Sequence, residues 1–175
     1  MNQPILLTKD AFNSLLANLV ELEEGIGEII DVFFRDPSKE AEDLKKVLND
    51  YVRWMDEMVK RVTIVATADN EFPFAVIGSE VVVEEKGGGG AYSFKLVSPL
   101  RNKIESNEIS FLSPMGKAML LKKVNQNFVV EAPGGNFEYK ILDIKISEDF
   151  HGMDTASIIR GREERSKDTK QSNIV

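Results

Sequence analysis

Two runs of apolar residues between Thr8 and Val62 constrain the fold of this chain more than any other feature. In both runs the apolar residues lie alternately four and three positions apart: Leu15, Leu19, Leu22, Ile26, Ile29 and Phe33, then Leu44, Leu48, Tyr51, Met55, Met58 and Val62. A period near 3.5 keeps one narrow apolar stripe facing a partner helix, as in a coiled coil. Because a ten-residue crossing, 34–43, separates two stripes of equal length, we predict an antiparallel helical hairpin.

The ends of these helices also have sequence signals. Thr8 is a plausible start of the first helix, and Asp36-Pro37 predicts the start of the second. Asp at an N-cap accepts a hydrogen bond from an unpaired backbone N–H, and Pro suits the first helical position. Gly25 and Gly27 interrupt the first helix at a cost of roughly 1 kcal/mol each, which indicates a bend or a close helix–helix approach.

Acidic side chains cluster at the predicted tip of the hairpin. Residues 8–35 would form a rod of about 40 Å, with Asp36, Glu40 and Glu42 at its far end. One interpretation is an ordinary solvated turn. The other is that the carboxylates are presented to a magnesium ion, which accepts one or two carboxylate ligands from a protein.

The composition excludes several classes of function. The chain has no Cys, which excludes disulfides and thiolate zinc sites, and its only histidine, His151, makes a His-rich metal site or a Ser-His-Asp triad improbable. The net charge is −7, and residues 1–66 carry 13 acidic against 8 basic residues, which argues against binding free duplex through its phosphates. No membrane-spanning run or signal peptide is present, so we expect a cytoplasmic protein without membrane contact.

After Val62 the pattern changes to that of a small sheet. Segments with strand character are separated by Gly- and Pro-containing turns: Val76–Glu85, Ala91–Val97, Asn127–Ala132 and Phe137–Ile146. The four glycines 87–90 predict a hairpin loop, since the segment that follows them is strand-like and not the helix of a phosphate-binding loop. Ser113 and Pro114 predict the cap and first residue of one short helix.

These patterns predict an α+β protein with four segments. They are a coiled-coil hairpin over residues 1–66, a linker over 67–75, a mostly antiparallel sheet domain with one helix over 76–150, and a tail over 151–175 whose low apolar content predicts disorder.

The second half of the chain resembles the Gre family of bacterial transcript-cleavage factors. The resemblance lies in Ser113-Pro114-Met115-Gly116-Lys117-Ala118-Met119-Leu120, in the stretch from Phe128 to the Pro133-Gly134-Gly135 turn, and in Phe137-Glu138-Tyr139-Lys140-Ile141. It covers roughly residues 6–146, and in the hairpin it rests on architecture more than on individual residues.

The resemblance implies an FKBP-like fold for the sheet domain and RNA polymerase as the partner. In the family, the sheet domain grips the rim of the polymerase secondary channel and the coiled coil enters the channel. Acidic tip residues then help to hold the second magnesium ion of the polymerase while backtracked RNA is cut, in a two-metal hydrolysis. The factor is therefore expected to be a monomeric accessory protein, not an enzyme, with no cofactor of its own and only indirect contact with RNA.

Carried over to this sequence, the resemblance implies two sets of site residues. Asp36 and Glu40 would be the tip carboxylates. The docking residues would be Leu112, Ser113, Pro114 and Met115, together with Pro133 and Gly134 of the turn.

The tip departs from the pattern of the cleaving members. In those, a Glu follows the Asp by three residues, whereas here Lys39 has that position and Glu40 comes one residue later. One residue rotates a helical side chain by about 100°, so Asp36 and Glu40 need not face the same way.

Several alternatives remain open. The chain could be a non-cleaving regulator or inhibitor that binds at the same channel. It could instead be a coiled-coil interaction module, for which an exposed apolar stripe outside the seam, with Leu16, Val20, Ile30 and Phe34 as candidates, would be evidence. Prolyl isomerase activity is a third alternative, although an FKBP-like fold does not by itself imply the activity.

Overall fold

The two apolar runs fold into a helical hairpin. In the computed structural model, which describes residues 3–100 and 104–150, α1 spans Lys9–Phe33 and α2 spans Lys39–Val59. Thr8 is the N-cap of α1, as predicted, and its hydroxyl accepts a hydrogen bond from the backbone N–H of Ala11 at 3.3 Å. The predicted tail, residues 151–175 with His151, lies outside the described residues.

The predicted seam between the helices is largely confirmed. Buried seam residues come from both helices: Leu15, Leu19, Leu22, Ile26 and Ile29 from α1, and Leu48, Tyr51, Met55 and Met58 from α2. Two predictions were wrong. The side chain of Phe33 is 50% exposed, because at that level α2 has only begun and its first buried residue is the small Ala41. Val62 belongs to a strand and not to the helix.

The start of α2 was also predicted incorrectly. Ser38, not Asp36, is the N-cap, and its hydroxyl accepts a hydrogen bond from the N–H of Ala41 at 3.1 Å. The crossing is therefore five residues long, 34–38, instead of ten. Asp36 is exposed in a bend within it, so its carboxylate has no capping role.

The two glycines of α1 have different surroundings. A Cβ on Gly25 would lie 3.0 Å from Cδ1 of Leu100, so Gly25 approaches the sheet domain and not the other helix. A Cβ on Gly27 would meet nothing within 4 Å.

A two-stranded parallel sheet closes the base of the hairpin. β1 (Ile5–Leu7) pairs with β2 (Val62–Ile64), with Leu6 opposite Thr63. The side chains of Ile5 and Leu7 are buried. The hairpin is thus joined at its open end, which the apolar periodicity did not predict.

The second half of the chain forms the predicted antiparallel sheet with one helix. Its elements are β3 (Ser79–Glu85), β4 (Gly90–Val97), β5 (Glu108–Ser110), α3 (Pro114–Met119), β6 (Asn127–Ala132) and β7 (Gly135–Ile146). The strand order is β5-β4-β3-β7-β6, and all neighbours are antiparallel except β4 and β5. The α+β fold is therefore confirmed, while its FKBP-like character stays a prediction.

The predicted linker, 67–75, is anchored along the sheet. The N–H of Phe72 donates to the carbonyl of Ile144 at 3.0 Å, Glu71 forms an isolated bridge with Lys145, and the Phe72 side chain is buried. One hydrophobic cluster runs from the seam of the hairpin into the sheet domain. Over the described residues, no helix combines the length and the apolar character that crossing a membrane requires.

Candidate functional site

The acidic residues of the hairpin tip are exposed. Asp36 lies in the bend between the helices, and Glu40 lies in the first turn of α2, next to an exposed Lys39. The positive N-terminal end of α2 favours negative charge in this turn. Both carboxylates can therefore contact a partner without any rearrangement of the hairpin.

The acidic side chains of the tip are not gathered into a larger cluster of ligand residues within the described part of the chain. Within residues 3–100 and 104–150, no group of three or more His, Cys, Asp or Glu side chains is placed to bind a metal ion. Exposed carboxylates of this kind can add one or two oxygen ligands to a magnesium ion whose other ligands come from elsewhere.

The local structure accounts for much of the sequence of residues 112–116, which we call the Ser-Pro motif. The Ser113 hydroxyl donates to the carbonyl of Ser110 at 2.8 Å and accepts from the N–H of Gly116 at 3.0 Å, so it caps α3 and ties it to β5. A Cβ on Gly116 would lie 2.1 Å from the Ser110 carbonyl oxygen, so only glycine fits. Of the predicted docking residues here, Pro114 is exposed, and Leu112, Ser113 and Met115 are half-buried.

The predicted docking residues do not form one continuous patch. Pro133 and Gly134 are exposed in the turn between β6 and β7. α3 connects to the opposite end of β6, and at 3.3 Å per residue a six-residue strand is about 20 Å long. A partner that touches both the Ser-Pro motif and the turn must therefore cross the sheet face between them.

That sheet face carries two stacked aromatic pairs, which the sequence analysis missed. Tyr92 and Phe94 stack with ring centroids 6.1 Å apart, and Phe128 and Tyr139 stack at 5.6 Å. The strand register places all four on one face, since Tyr92 is opposite Val83, Phe94 is opposite Val81 and Phe128 is opposite Tyr139. Val81 and Val83 are fully buried and Phe128 is 5% exposed, so the aromatic residues extend the apolar core face of the sheet, and only some of them are accessible. The alternation in β4 was a signal for a strand but not for this face.

The surroundings of the Tyr139 hydroxyl favour its neutral form. Burial raises the pKa of Tyr139, and the charges of Glu85 and Tyr92 raise it further. Tyr92 is 42% exposed, and Phe94 and Tyr139 are half-buried. Partly exposed aromatic side chains with a polar edge are typical of protein interfaces.

The comparisons with known proteins point to one family. The model of the C-terminal domain of the transcription elongation factors GreA and GreB matches residues 70–146. The transcription elongation factor GreA of Amoebophilus asiaticus (strain 5a2) is 33% identical over 110 residues, which are 62% of this chain and 68% of the relative. GreA of Syntrophomonas wolfei is 26% identical over 152 residues, which are 81% of this chain and 96% of the relative.

Among solved structures, Gfh1 of Thermus aquaticus is 23% identical and covers 82% of this chain and 99% of its own, with a TM-score of 0.38. At that score the likeness carries no structural argument. The family match and the relatives are sufficient: the chain belongs to the GreA/GreB family of transcription elongation factors.

Proposed function

We propose that this elongation factor binds RNA polymerase at its secondary channel and stimulates cleavage of backtracked RNA through its tip carboxylates. The observation that supports the proposal most strongly is the position of Asp36 and Glu40. Both are exposed at the end of a hairpin whose 25-residue first helix is about 37 Å long. The base of that hairpin is fixed to a sheet domain that has its own candidate docking face.

In this proposal the sheet domain supplies the binding energy. Leu112, Pro114 and Met115 of the Ser-Pro motif, together with Pro133 and Gly134, are the docking residues. We add the accessible aromatic residues Tyr92 and Phe94 to this surface. Apolar and aromatic side chains of this kind commonly contribute most of the affinity at a protein interface.

The tip carboxylates act on chemistry that belongs to the polymerase. When bound, a magnesium ion at the polymerase active centre would polarise the phosphodiester and activate water. Asp36 and Glu40 supply carboxylate oxygens toward that site. The factor is thus an accessory protein that has no cofactor of its own, meets RNA only within the elongation complex and acts as a monomer in the cytoplasm.

The test is a cleavage assay on a backtracked elongation complex. The double variant Asp36→Asn, Glu40→Gln should lose stimulated cleavage and keep its affinity for polymerase, because a group that acts mainly in the transition state contributes little to ground-state binding. Since Ser38 and not Asp36 caps α2, loss of activity can be assigned to the charges.

A matched control is Glu42→Gln, which removes another exposed carboxylate from the first turn of α2. It should cleave like the wild type. Equal loss in the control would show that net charge matters and not the two named carboxylates. Failure of the wild type to bind its host polymerase at micromolar concentration would refute the proposal as a whole.

A second candidate is a non-cleaving regulator that binds at the same channel. Lys39 favours it, since this exposed cation has the position at which the cleaving members of the family have a Glu. In that case the wild type binds polymerase without stimulating cleavage, and Lys39→Glu should restore a weak activity.

The exposure of the off-seam residues gives little support to the alternative that the hairpin is a general interaction module. Of the four off-seam candidates, Val20 is buried and Leu16, Ile30 and Phe34 are half-buried. In α1 and α2 the exposed large apolar residues are Val32 and Phe33 near the tip and Val47 on α2.

A further inference from the structure

Three contacts fix the base of the hairpin to the sheet domain. The first is made by Tyr51 of α2, a seam residue whose side chain is only 6% exposed. Its hydroxyl oxygen accepts a hydrogen bond from the backbone N–H of Ile77 at 3.0 Å. Ile77 lies two residues before β3, so this bond joins α2 to the segment that leads into the central strand of the sheet.

The second contact joins the start of α1 to the end of β7. One oxygen of the Glu148 carboxylate accepts from the Thr8 hydroxyl at 2.8 Å and from the side-chain amide of Asn70 at 3.0 Å. The Asn70 side-chain oxygen in turn accepts from the N–H of Thr8 at 2.8 Å. Thr8 is also the N-cap of α1, so this network sets where the helix begins.

Asn70 itself is held in place by the sheet. It is buried and has a φ of +57°, a conformation that Asn tolerates better than most residues. Its carbonyl accepts from the N–H of Ile146 at 2.8 Å. The network therefore connects α1 to β7 through a residue whose backbone is fixed.

The third contact is a close approach between α1 and the sheet. A Cβ on Gly78 would lie 2.5 Å from the amide nitrogen of Asn18, so α1 rests directly on the Gly78 backbone. Asn18 is held there by a hydrogen bond from its side-chain amide to the carbonyl of Ser14 at 2.8 Å.

The first two contacts are hydrogen-bonded, and together they form what we call the junction clamp. Its residues are Tyr51, Thr8, Asn70 and Glu148.

The length of the hairpin makes the angle at its base important. α1 is about 37 Å long, so a rotation of about 1.5° at the base moves the tip by about 1 Å. A misplacement of 1 Å in a catalytic group can reduce a rate by about 100-fold. The tip carboxylates can act only if the hairpin keeps one angle relative to the docking face.

We propose that Tyr51, Asn70 and Glu148 are positioning residues, which hold the hairpin at the angle that places Asp36 and Glu40 at their target. This inference rests on the proposed function. It assigns no contact with polymerase or RNA to the clamp residues. They act by fixing the angle between the hairpin and the sheet domain.

The first test measures the angle without polymerase. Because the chain has no native Cys, spin labels can be placed at Glu42→Cys on α2 and Glu84→Cys on β3, two exposed positions. The distance distribution by pulsed electron paramagnetic resonance should be narrow for the intact clamp. The double variant Tyr51→Phe, Glu148→Ala should broaden or shift it.

Two further variants separate positioning from general destabilisation. Glu148→Gln keeps an oxygen that can accept both hydrogen bonds. Its distance distribution should therefore be as narrow as that of the intact clamp. Arg53→Ala removes an exposed residue of α2 whose guanidinium lies 2.9 Å from the Asp50 carboxylate on the same helix, and it should leave the distribution unchanged. If the double variant does not fold, Tyr51→Phe and Glu148→Ala are measured singly.

The second test measures activity and affinity together in elongation complexes. Tip-dependent activity is defined as the part lost in Asp36→Asn, Glu40→Gln. The clamp double variant should lose at least 10-fold of that activity, while its affinity for polymerase changes less than about 2-fold, because the docking residues are untouched.

The possible outcomes are distinct. An unchanged distance distribution in the clamp variants overturns the inference, and so does a broadened distribution with full tip-dependent activity. If the wild type has no tip-dependent activity, the proposed function fails, yet the distance measurement still decides whether the clamp sets the angle.

Discussion

Replacement of Gly116 by alanine should destabilise the sheet domain severely. The new Cβ would lie 2.1 Å from the Ser110 carbonyl oxygen and 2.8 Å from the Phe111 Cα, and both are backbone atoms that cannot rotate away. Relief requires α3 to move away from β5 by about 1 Å, which is an overpacking strain of about 1–3 kcal/mol.

That movement also affects two hydrogen bonds to the same carbonyl. The Ser113 N–H donates to it at 3.0 Å and the Ser113 hydroxyl at 2.8 Å. Their loss costs about 1 kcal/mol each, while alanine recovers about 1 kcal/mol of helix propensity. The free energy of unfolding should therefore fall by about 3 kcal/mol.

Urea unfolding followed by circular dichroism and by the fluorescence of Trp54 measures this change. The denaturant midpoint should fall while the slope of the transition stays the same. A loss of less than about 0.5 kcal/mol, which is the range of ordinary surface substitutions, would refute the close packing of α3 on β5.

Three other predictions follow from single positions. Gly27→Ala should raise the free energy of unfolding by about 1 kcal/mol in the same urea assay, because its Cβ meets nothing within 4 Å; a loss would contradict the open surroundings. Ser38→Ala should lower helix stability by about 1 kcal/mol and Asp36→Ala by much less, since Ser38 is the cap; the reverse order in thermal melts would restore Asp36 as the cap. Burial raises the pKa of Tyr51, and the hydrogen bond from Ile77 offsets this only in part. Above about pH 10 the unfolded chain therefore loses a proton that the folded chain keeps, and stability should fall with rising pH by up to about 1.4 kcal/mol per unit. Urea midpoints at pH 8 to 11 should fall less steeply for Tyr51→Phe, and equal slopes would argue against a buried hydroxyl.

The features that the sequence predicted correctly are local or strictly periodic. The seam from Leu15 to Ile29 and the strand Asn127–Ala132 are encoded by side-chain spacing within a few turns or residues, and burial follows that spacing directly. Ser113-Pro114 encodes a cap and a first helical residue, and both functions are local.

The incorrect predictions involve choices that spacing cannot make. Asp and Ser are comparably good N-cap residues, so residue type alone does not distinguish Asp36 from Ser38. The cap is Ser38, which accepts from the N–H of the buried Ala41. Val62 continues the 3.5-residue pattern, but pairing with Ile5 at the other end of the hairpin takes it into a strand. Such pairing depends on residues more than fifty positions away.

The candidate site was predicted as residues and not as an arrangement. The tip carboxylates and the Ser-Pro motif could be named because a family resemblance identifies them. The aromatic face with Tyr92 and Tyr139 could not, since each half comes from a different hairpin of the sheet and has only a strand pattern of its own.

The parallel pairing of β1 with β2 implies an order of folding. Between Leu7 and Val62 the chain makes a loop of about 55 residues, and closing such a loop from the unfolded state costs about 3.5 kcal/mol of chain entropy, apart from a constant. Once α1 and α2 have zipped together, only a few flexible residues separate the two strands, and the cost falls by about 2 kcal/mol. The hairpin should therefore form first, the short parallel sheet should lock its open end second, and the sheet domain should dock last, when β7 has left the ribosome.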